Sequence, residues 1–166
     1  ITERLLNTLA ALHGVQSVGM TNALPFEKVK VIFDIRRAGQ GSGPDERVRP
    51  DFRVVSPGYF ETVNMRLLTG RTFTWQDREG TSTVAVVNEA FVRRYLSGAA
   101  PVGAALAAGT GQPWTIVGVV QDVRYGGLDR PPSPTLYTTF LQRRQVAFFA
   151  RIDVVMDRTP PPDDLP

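Results

Sequence analysis

Few side chains in this sequence could support catalysis. The chain has 166 residues with one histidine, His13, and no cysteine, which excludes a disulfide framework, a thiolate nucleophile and thiolate metal ligands. No serine, histidine and aspartate set can be assembled around His13. This histidine lies at the end of a predicted helix, where an imidazole can interact with free carbonyl groups. We therefore predict a structural role for it and no catalytic residue in the chain.

Acidic residues offer the remaining route to catalysis or metal binding. No helical or strand spacing forces any two of them together, so we interpret them as turn and surface groups. A carboxylate enzyme remains a hypothesis that requires two acids to converge in one cleft. One histidine, no cysteine and no acidic loop of calcium-binding pattern predict no metal and no cofactor site. The carboxylates considered are Asp77, Glu79, Asp122 and Asp129.

A glycine-rich segment, residues 39–46, has a spacing that could be mistaken for a phosphate cradle. Such a cradle lies between a strand and a helix whose amide groups point at the phosphates. Here a second predicted strand, residues 48–55, follows instead. We interpret the segment as a flexible hairpin connection, and the ATP phosphate-binding consensus is absent from the sequence.

The charge of the chain is mildly basic. Nineteen basic residues against 16 acidic ones give a net charge of +3, and the basic pairs at 36–37, 93–94 and 143–144 are scattered. We interpret this as a solvated, mixed-charge surface. The alternative function that the charge leaves open is a basic module binding nucleic acid or another polyanion, which predicts a steep loss of binding with salt.

No stretch of sequence approaches the roughly 18 apolar residues needed to span a bilayer, and no basic segment precedes an apolar one as in a signal peptide. Residues 1–12 nevertheless predict an amphipathic helix that starts without a methionine or a cap. Its apolar stripe consists of Ile1, Leu5, Leu9 and Leu12, with Leu6 beside it, and Gly14 ends it. We expect an excised fragment whose flanking segments are missing.

The rest of the chain is organised around residues 54–96. Ser56 predicts an N-cap and Pro57 the first helical position of a helix over 57–63, whose aromatic face includes Tyr59 and Phe60. Residues 83–87 predict a buried strand, and Asn88 predicts a cap for a helix over 89–96 that contains Phe91. Six further strands are predicted at 15–21, 28–37, 104–108, 114–123, 135–140 and 146–155.

Mixed strands and helices, with strands in the majority, predict an α+β fold. The sequence also resembles a known family, the MacB-like periplasmic core domain, over residues 5–155. Asn64 stands where that family commonly has glycine. The motifs that carry the resemblance, in order, are VVSPGYF, LLTGRTF, VAVVNEAFVRRYL, APVGAAL and WTIVGVVQDVRYGGLDRPPSPTLYTTF. Within them we single out as structural positions Ser56, Pro57, Gly58, Tyr59, Phe60, Gly70, Arg71, Asn88, Phe91, Pro101, Gly103 and Gly118.

This resemblance implies a fold of two lobes. A porter-like, membrane-proximal α/β lobe would comprise residues 1–50 with 141–166, and an inserted β-rich lobe with two short helices would comprise 51–140. The family forms the extracytoplasmic part of ABC transporter permeases of the MacB and FtsX type. The resemblance therefore implies a non-catalytic domain at the periplasmic face of the bacterial inner membrane, which transmits ATP-driven change to substrates or partners outside.

The resemblance also implies partners. An ABC ATPase subunit or domain would act through the membrane helices, and a periplasmic adaptor or an exported substrate would contact the domain outside. A dimer of permeases is expected in the full protein, and no nucleic acid is expected as a partner.

Overall fold

The computed structural model describes residues 2–22, 35–37, 49–96, 100–108, 112–123, 131–142 and 151–156. Three α-helices lie in these ranges: α1 (Thr2–Ala10), α2 (Tyr59–Thr62) and α3 (Glu89–Tyr95). A 3₁₀ turn, Phe140–Gln142, follows the eighth strand. The strands are β1 (Val15–Thr21), β2 (Ile35–Arg37), β3 (Asp51–Val55), β4 (Leu67–Gly70), β5 (Val84–Asn88), β6 (Ala105–Ala108), β7 (Trp114–Val120), β8 (Thr135–Thr139) and β9 (Arg151–Met156).

All nine of these strands belong to one mixed sheet. Its order is β2-β6-β7-β5-β8-β3-β1-β9, and β4 pairs with β7 outside this path. Strands β3 and β8 are parallel, as are β5 and β7, while the other pairs are antiparallel. The predicted α+β class is thereby confirmed.

Two apolar clusters form the core. The first contains the face of α3 that carries Phe91, packed on β3, β5, β7 and β8, where Phe52 and Trp114 meet at 5.9 Å between ring centroids. The second contains Tyr59 and Phe60 of α2 with the opposite side chains of the same strands, Tyr137 among them. Because strand side chains alternate between faces, a sheet covered on both sides needs apolar residues at nearly every position. The fully buried run Val84–Asn88 meets this need.

Most predicted elements occur close to their expected positions. Strand β1 has the predicted bounds, whereas β7 ends at Val120 and not at residue 123. Strand β4 was not predicted; all four of its residues are exposed, so no apolar alternation marks it. Asn64 has a φ of 52°, in the left-handed region that glycine adopts most readily.

Helix α1 packs differently from its predicted stripe. Leu6 is the buried side chain, at 3% exposure, because this side of the helix faces β1. Of the predicted stripe, Leu5 is 45% exposed, Leu9 is half-buried, and Leu12, which lies beyond the end of the helix at Ala10, is 53% exposed. The helix thus ends two residues earlier than predicted, and Gly14, with a φ of 78°, lies in the turn between α1 and β1.

Several predictions fall on residues outside the described ranges. These include most of the strand over 28–37, the glycine-rich segment over 39–46 and Asp129. The two-lobe division also remains a prediction. The sheet hydrogen-bonds strands from both predicted lobes, since β2 pairs with β6 and β1 pairs with β3.

Candidate functional site

Asn88 caps helix α3 as predicted, and it also joins two strands. Its Oδ1 accepts hydrogen bonds from the backbone N–H of Phe91 at 3.0 Å and of Thr135 at 2.8 Å. Its Nδ2 donates to the carbonyl of Ser133 at 2.9 Å. The side chain is buried, so each of these bonds replaces water that cannot enter. One amide therefore fixes the start of α3 and the start of β8 together.

Asp122, which follows β7, is a second acceptor at the start of α3. Its Oδ1 accepts from the backbone N–H of Ala90 at 2.8 Å, and its Oδ2 lies 2.6 Å from Arg93 Nη2. This hydrogen bond raises the pKa of the Arg93 guanidinium. The backbone N–H of Asp122 donates to Glu89 Oε2 at 3.3 Å. The sequence predicts a surface group at Asp122, inside a strand over 114–123; because β7 ends at Val120, the carboxylate instead reaches the start of α3.

Ser56 does not cap helix α2, so that prediction is wrong. The N-cap residue of α2 is Gly58, with a φ of 81° and no side-chain cap, and the helix begins at Tyr59. Pro57 therefore lies before the helix and not at its first position. The Ser56 hydroxyl instead accepts from the backbone N–H of Met20 at 2.9 Å, and Ser56 N donates to Met20 O at 2.8 Å. The hydroxyl that the local pattern assigned to the helix is therefore hydrogen-bonded to the neighbouring strand β1.

Helix α2 lies directly on strand β1 at Gly19. A Cβ atom added to Gly19 would lie 2.8 Å from Tyr59 Cα and 3.1 Å from Thr62 Oγ1. The separation from Tyr59 Cα is shorter than real Cβ contacts, so glycine fits beneath the helix where a larger residue would force the backbone to shift. Thr62 Oγ1 donates to the carbonyl of Gly58 at 2.8 Å, which turns this side chain along the helix.

The predicted aromatic face of α2 forms a buried cluster. Phe60 stacks edge-on against Tyr137 at 5.1 Å between centroids and contacts Phe73 at 6.0 Å and Tyr59 at 5.7 Å. All four rings are at most 3% exposed. They hold α2, β8 and the segment after β4 together and leave no ring free to bind a ligand.

The backbones of the antiparallel strands β4 and β7 approach each other closely at Gly70, Arg71 and Gly118. A Cβ on Gly118 would overlap the carbonyl oxygen of Arg71, and one on Gly70 would overlap the carbonyl oxygen of Val117. Gly70 also has a φ of 78°. Both glycines are therefore required for the two strands to approach each other.

Arg71 makes a two-pronged ion pair with Asp77. Its Nη1 and Nη2 lie 2.7 and 2.8 Å from the two carboxylate oxygens, and Asp77 also accepts from Thr74 N at 2.8 Å. Burial raises the pKa of Asp77, but the hydrogen bonds from Arg71 and Thr74 outweigh burial, and the net pKa is lowered. The pair closes the loop that follows β4.

Pro101 and Gly103 form the predicted turn before β6. Ala104 N donates to Pro101 O at 3.2 Å, and Gly103 N donates to Ile116 O at 2.8 Å. Gly103 has a φ of 90°, with open space where a Cβ would lie. The turn therefore selects glycine for its backbone conformation.

An open polar groove of about 600 Å³ lies where the loop over 78–83 meets the start of β7. Gln142 crosses it: its Oε1 accepts from Val84 N at 3.1 Å, and its Nε2 donates to Ser82 O at 2.8 Å. The side chains around the groove are mainly amides and hydroxyls. Over the described ranges, no group of three histidine, cysteine or acidic residues could hold a metal.

The carboxylates and arginines of the alternative functions have structural partners where the structure describes them. Asp77 pairs with Arg71, and Asp122 pairs with Arg93 across the start of α3. Arg94 lies over the Tyr95 ring at 5.6 Å. The described residues thus give the carboxylate enzyme no cleft with two converging acids, and they give the polyanion module no observation in its favour. No helix among the described residues is long and apolar enough to cross a bilayer.

The fold and these interactions define the structural class of the chain. This is a mixed α+β domain whose singled-out residues cap helices, close turns and allow close backbone contacts. The chain belongs to the MacB-like periplasmic core domain family, whose sequence model matches residues 6–165. No curated protein matches the chain.

Three solved structures share the fold. The extracellular domain of the noncanonic ABC-type transporter YknZ from Gram-positive bacteria has a TM-score of 0.63 at 17% identity, covering 95% of this chain and 73% of that one. The periplasmic region of MacB from Actinobacillus actinomycetemcomitans has a TM-score of 0.66 at 16% identity, covering 95% and 65%. A domain of a permease from Porphyromonas gingivalis has a TM-score of 0.58 at 11% identity, covering 92% and 66%. The chain thus spans about two thirds to three quarters of these structures.

Proposed function

We propose that this domain is the extracytoplasmic part of an ABC-type permease and works as a mechanical element without catalysis of its own. ATP would be hydrolysed on a separate ATPase domain or subunit, whose movement reaches the domain through membrane helices. The domain would then move a substrate or a partner protein on the periplasmic side of the inner membrane. Membership in the MacB-like periplasmic core domain family supports this role.

Helix α1 is the structural observation that carries the mechanical part of the proposal. Among the described elements its main contact is with β1, where Leu6 is buried. Leu5 on the helix is 45% exposed, and Leu12, in the turn that follows the helix, is 53% exposed. Exposed leucines on and beside a helix favour contact with another helix. We propose that α1 is the outer end of a stalk that packs against such helices in the complete permease dimer.

The two-lobe division fits this role. We propose that residues 1–50 with 141–166 form the porter-like lobe beside the membrane and that 51–140 form the inserted lobe. Strand β1 follows α1 directly and pairs along its length with β9, which supports a unit made from the two ends of the chain. A periplasmic adaptor or an exported substrate is the partner that we propose for the outer surface.

The mechanical role can be tested by the distance between the two copies of α1. The chain contains no cysteine, so an Asn7→Cys variant of the complete permease carries one label site in this segment of each subunit. Asn7 is exposed on α1, so a spin label there disturbs no packing. We expect the distance between the two labels to change when a nonhydrolysable ATP analogue is added. An unchanged distance would reject the coupling of this domain to ATP.

Location is tested separately. We expect the complete protein to sediment with membranes and this segment to be cleaved by protease added to spheroplasts. A product that stays in the cytoplasmic fraction and resists the protease would contradict the permease assignment, and binding to duplex and single-stranded DNA at low salt would then be measured.

A further inference from the structure

The described strands are joined unevenly where the predicted lobes meet. Strand β1 pairs with β9 along its whole length, from Val15 opposite Met156 to Thr21 opposite Arg151. Toward β3, in contrast, the ladder contains one residue pair, Thr21 opposite Val55. Helix α1, β1 and β9 therefore form a unit that meets the rest of the sheet at one end of β1.

Reciprocal hydrogen bonds close this junction. Met20 and Ser56 exchange two: Met20 N donates to Ser56 Oγ at 2.9 Å, and Ser56 N donates to Met20 O at 2.8 Å. Asn22 and Val54 exchange two more: Asn22 N donates to Val54 O at 3.0 Å, and Val54 N donates to Asn22 Oδ1 at 2.9 Å. Two side chains thus continue the β1 to β3 pairing where the backbone ladder stops.

Helix α2 fills the angle beside this junction. Its backbone lies so close to β1 that no Cβ fits on Gly19, and a Cβ on Gly58 would lie 3.3 Å from Val18 O. Close packing of this kind resists rotation in one direction, because a tilt of β1 toward α2 drives backbone atoms into backbone atoms. A hinge requires residues that can absorb changes in φ and ψ, whereas the backbone groups here are paired or in contact.

We propose that this junction is a rigid joint: Ser56, Asn22 and the contact of Gly19 with α2 hold α1, β1 and β9 at a fixed angle to the remaining sheet. A displacement of α1 then moves the whole domain as one body. The inference deepens the proposed function and rests on it, because it states how movement of the stalk reaches the outer surface. In this scheme Gly19 and Ser56 fix the position of β1 against α2 and β3.

The test measures an intramolecular distance in the membrane-embedded permease. Labels at Asn7→Cys on α1 and Arg66→Cys before β4 span the junction; both residues are exposed, and the carbonyl of Arg66 is bonded to Gln121 N. Labelled protein is mixed with excess unlabelled protein so that only distances within one chain are recorded. We expect one narrow distribution that stays the same with and without the ATP analogue.

Variants then loosen the joint. Gly19→Ala forces a Cβ against Tyr59 Cα, and Ser56→Ala leaves Met20 N–H without its acceptor. We expect the combined variant to shift the distribution or to broaden it about twofold, with the milder Ser56→Ala giving a smaller change in the same sense. Ser17→Ala removes a hydroxyl from β1 away from the junction, and Gly80→Ala strains an open turn with a φ of 89°. Both controls should leave the distribution unchanged.

The possible outcomes distinguish failure of the rigid joint from failure of the proposed function. If the distance between copies of α1 fails to respond to nucleotide, the mechanical function is rejected. If that distance responds while the distance within one wild-type chain also changes, the junction is a hinge and the rigid joint alone is rejected. The joint is also rejected if Gly19→Ala with Ser56→Ala leaves both the position and the width of the wild-type distribution unchanged. A narrow wild-type distribution that broadens in this variant and not in the controls supports it.

Discussion

Two short helices in this domain follow buried strands, and their first turns are built differently. At α3, Asn88 caps the helix as its position in the sequence predicts. At α2, Ser56 occupies the equivalent place after β3, yet its hydroxyl bonds to Met20 on the neighbouring strand, and Gly58 begins the helix. The two sites share a local pattern and differ in what the sheet places beside them.

The chemistry of the two side chains explains the difference. The asparagine amide offers an acceptor oxygen and a donor nitrogen on a side chain long enough to reach the helix and β8 together. A serine hydroxyl is short, and here it satisfies a buried strand N–H that would otherwise have no acceptor. Helix α2 compensates with its buried aromatic face, so tertiary packing stabilises it in place of a cap.

The largest effect is expected at Asn88, because three hydrogen bonds in a buried site depend on it. Asn88→Ala should lower the free energy of unfolding by about 3 kcal/mol, combining a lost cap with an unsatisfied Thr135 N–H and Ser133 carbonyl. Asn88→Ser, which can still accept from the helix, should lose about half as much. Urea unfolding measures both, and equal losses would show that the cap itself contributes little.

Ser56→Ala should cost about 2 kcal/mol, since it leaves the buried Met20 N–H without an acceptor. Hydrogen exchange locates the damage. We expect faster exchange at Met20, whereas the amides of Thr62 and Val63, which bond within α2, should keep their protection. Faster exchange throughout α2 would mean that Ser56 does support the helix and would remove the contrast with Asn88.

Asp122→Ala removes the second acceptor at α3 and should cost about 1.5 kcal/mol, because an Ala90 N–H bond and a largely exposed ion pair are lost together. Asp122→Asn keeps an oxygen for Ala90 and should recover most of the loss. Differential scanning calorimetry compares the two, and the same melting temperature for both would assign the effect to Arg93 and not to the helix start.

Asp77 shows the same use of one side chain for several donors in a loop. Its pKa lies below the ordinary 3.8, so the folded state holds the carboxylate more firmly than the unfolded state does. This stability is complete above the unfolded pKa and is lost as the pH falls through the lowered folded pKa. Asp77→Asn should cost about 1 kcal/mol at neutral pH, and the difference from wild type should shrink as the pH falls through the lowered folded pKa of Asp77. A difference that stays constant over this range would contradict the ion-pair explanation.

The smallest effect is expected at Thr138, a buried hydroxyl in β8 without a hydrogen-bond partner. Thr138→Val keeps the shape of the side chain and removes a desolvated polar group, so stability should stay within about 0.5 kcal/mol of wild type or rise. Comparison with Ser56→Ala distinguishes a hydroxyl that forms a hydrogen bond from one that does not. A loss as large as that of Ser56→Ala would reveal a partner for Thr138 in solution.

Local patterns predicted the fold class and most strands, because β1, β5 and β7 are marked by their own residues. They failed for β4, whose four exposed residues form a strand through pairing with β7, some fifty positions later. They failed for Ser56 in the same way, since its partner Met20 is 36 positions away. No local pattern marks Gly19, because the requirement for glycine arises only when α2 packs against β1. Asp122 and Gln142 likewise have partners on distant elements, at Ala90 and Val84, whereas Asp77 accepts from Thr74 within its own turn, in keeping with its interpretation as a turn group.

The order of strands also sets the order in which this domain can be completed. Strand β1, near the start of the chain, has as its principal neighbour β9, near the end. While the polypeptide is being synthesised or delivered through a membrane, one edge of β1 therefore stays unpaired until the chain as far as Met156 is present. Distant pairings of this sort slow folding, and an open strand edge invites pairing with another molecule. A truncation before β9 should thus give an aggregating product even though eight of the nine described strands are present, so productive folding depends on the arrival of β9.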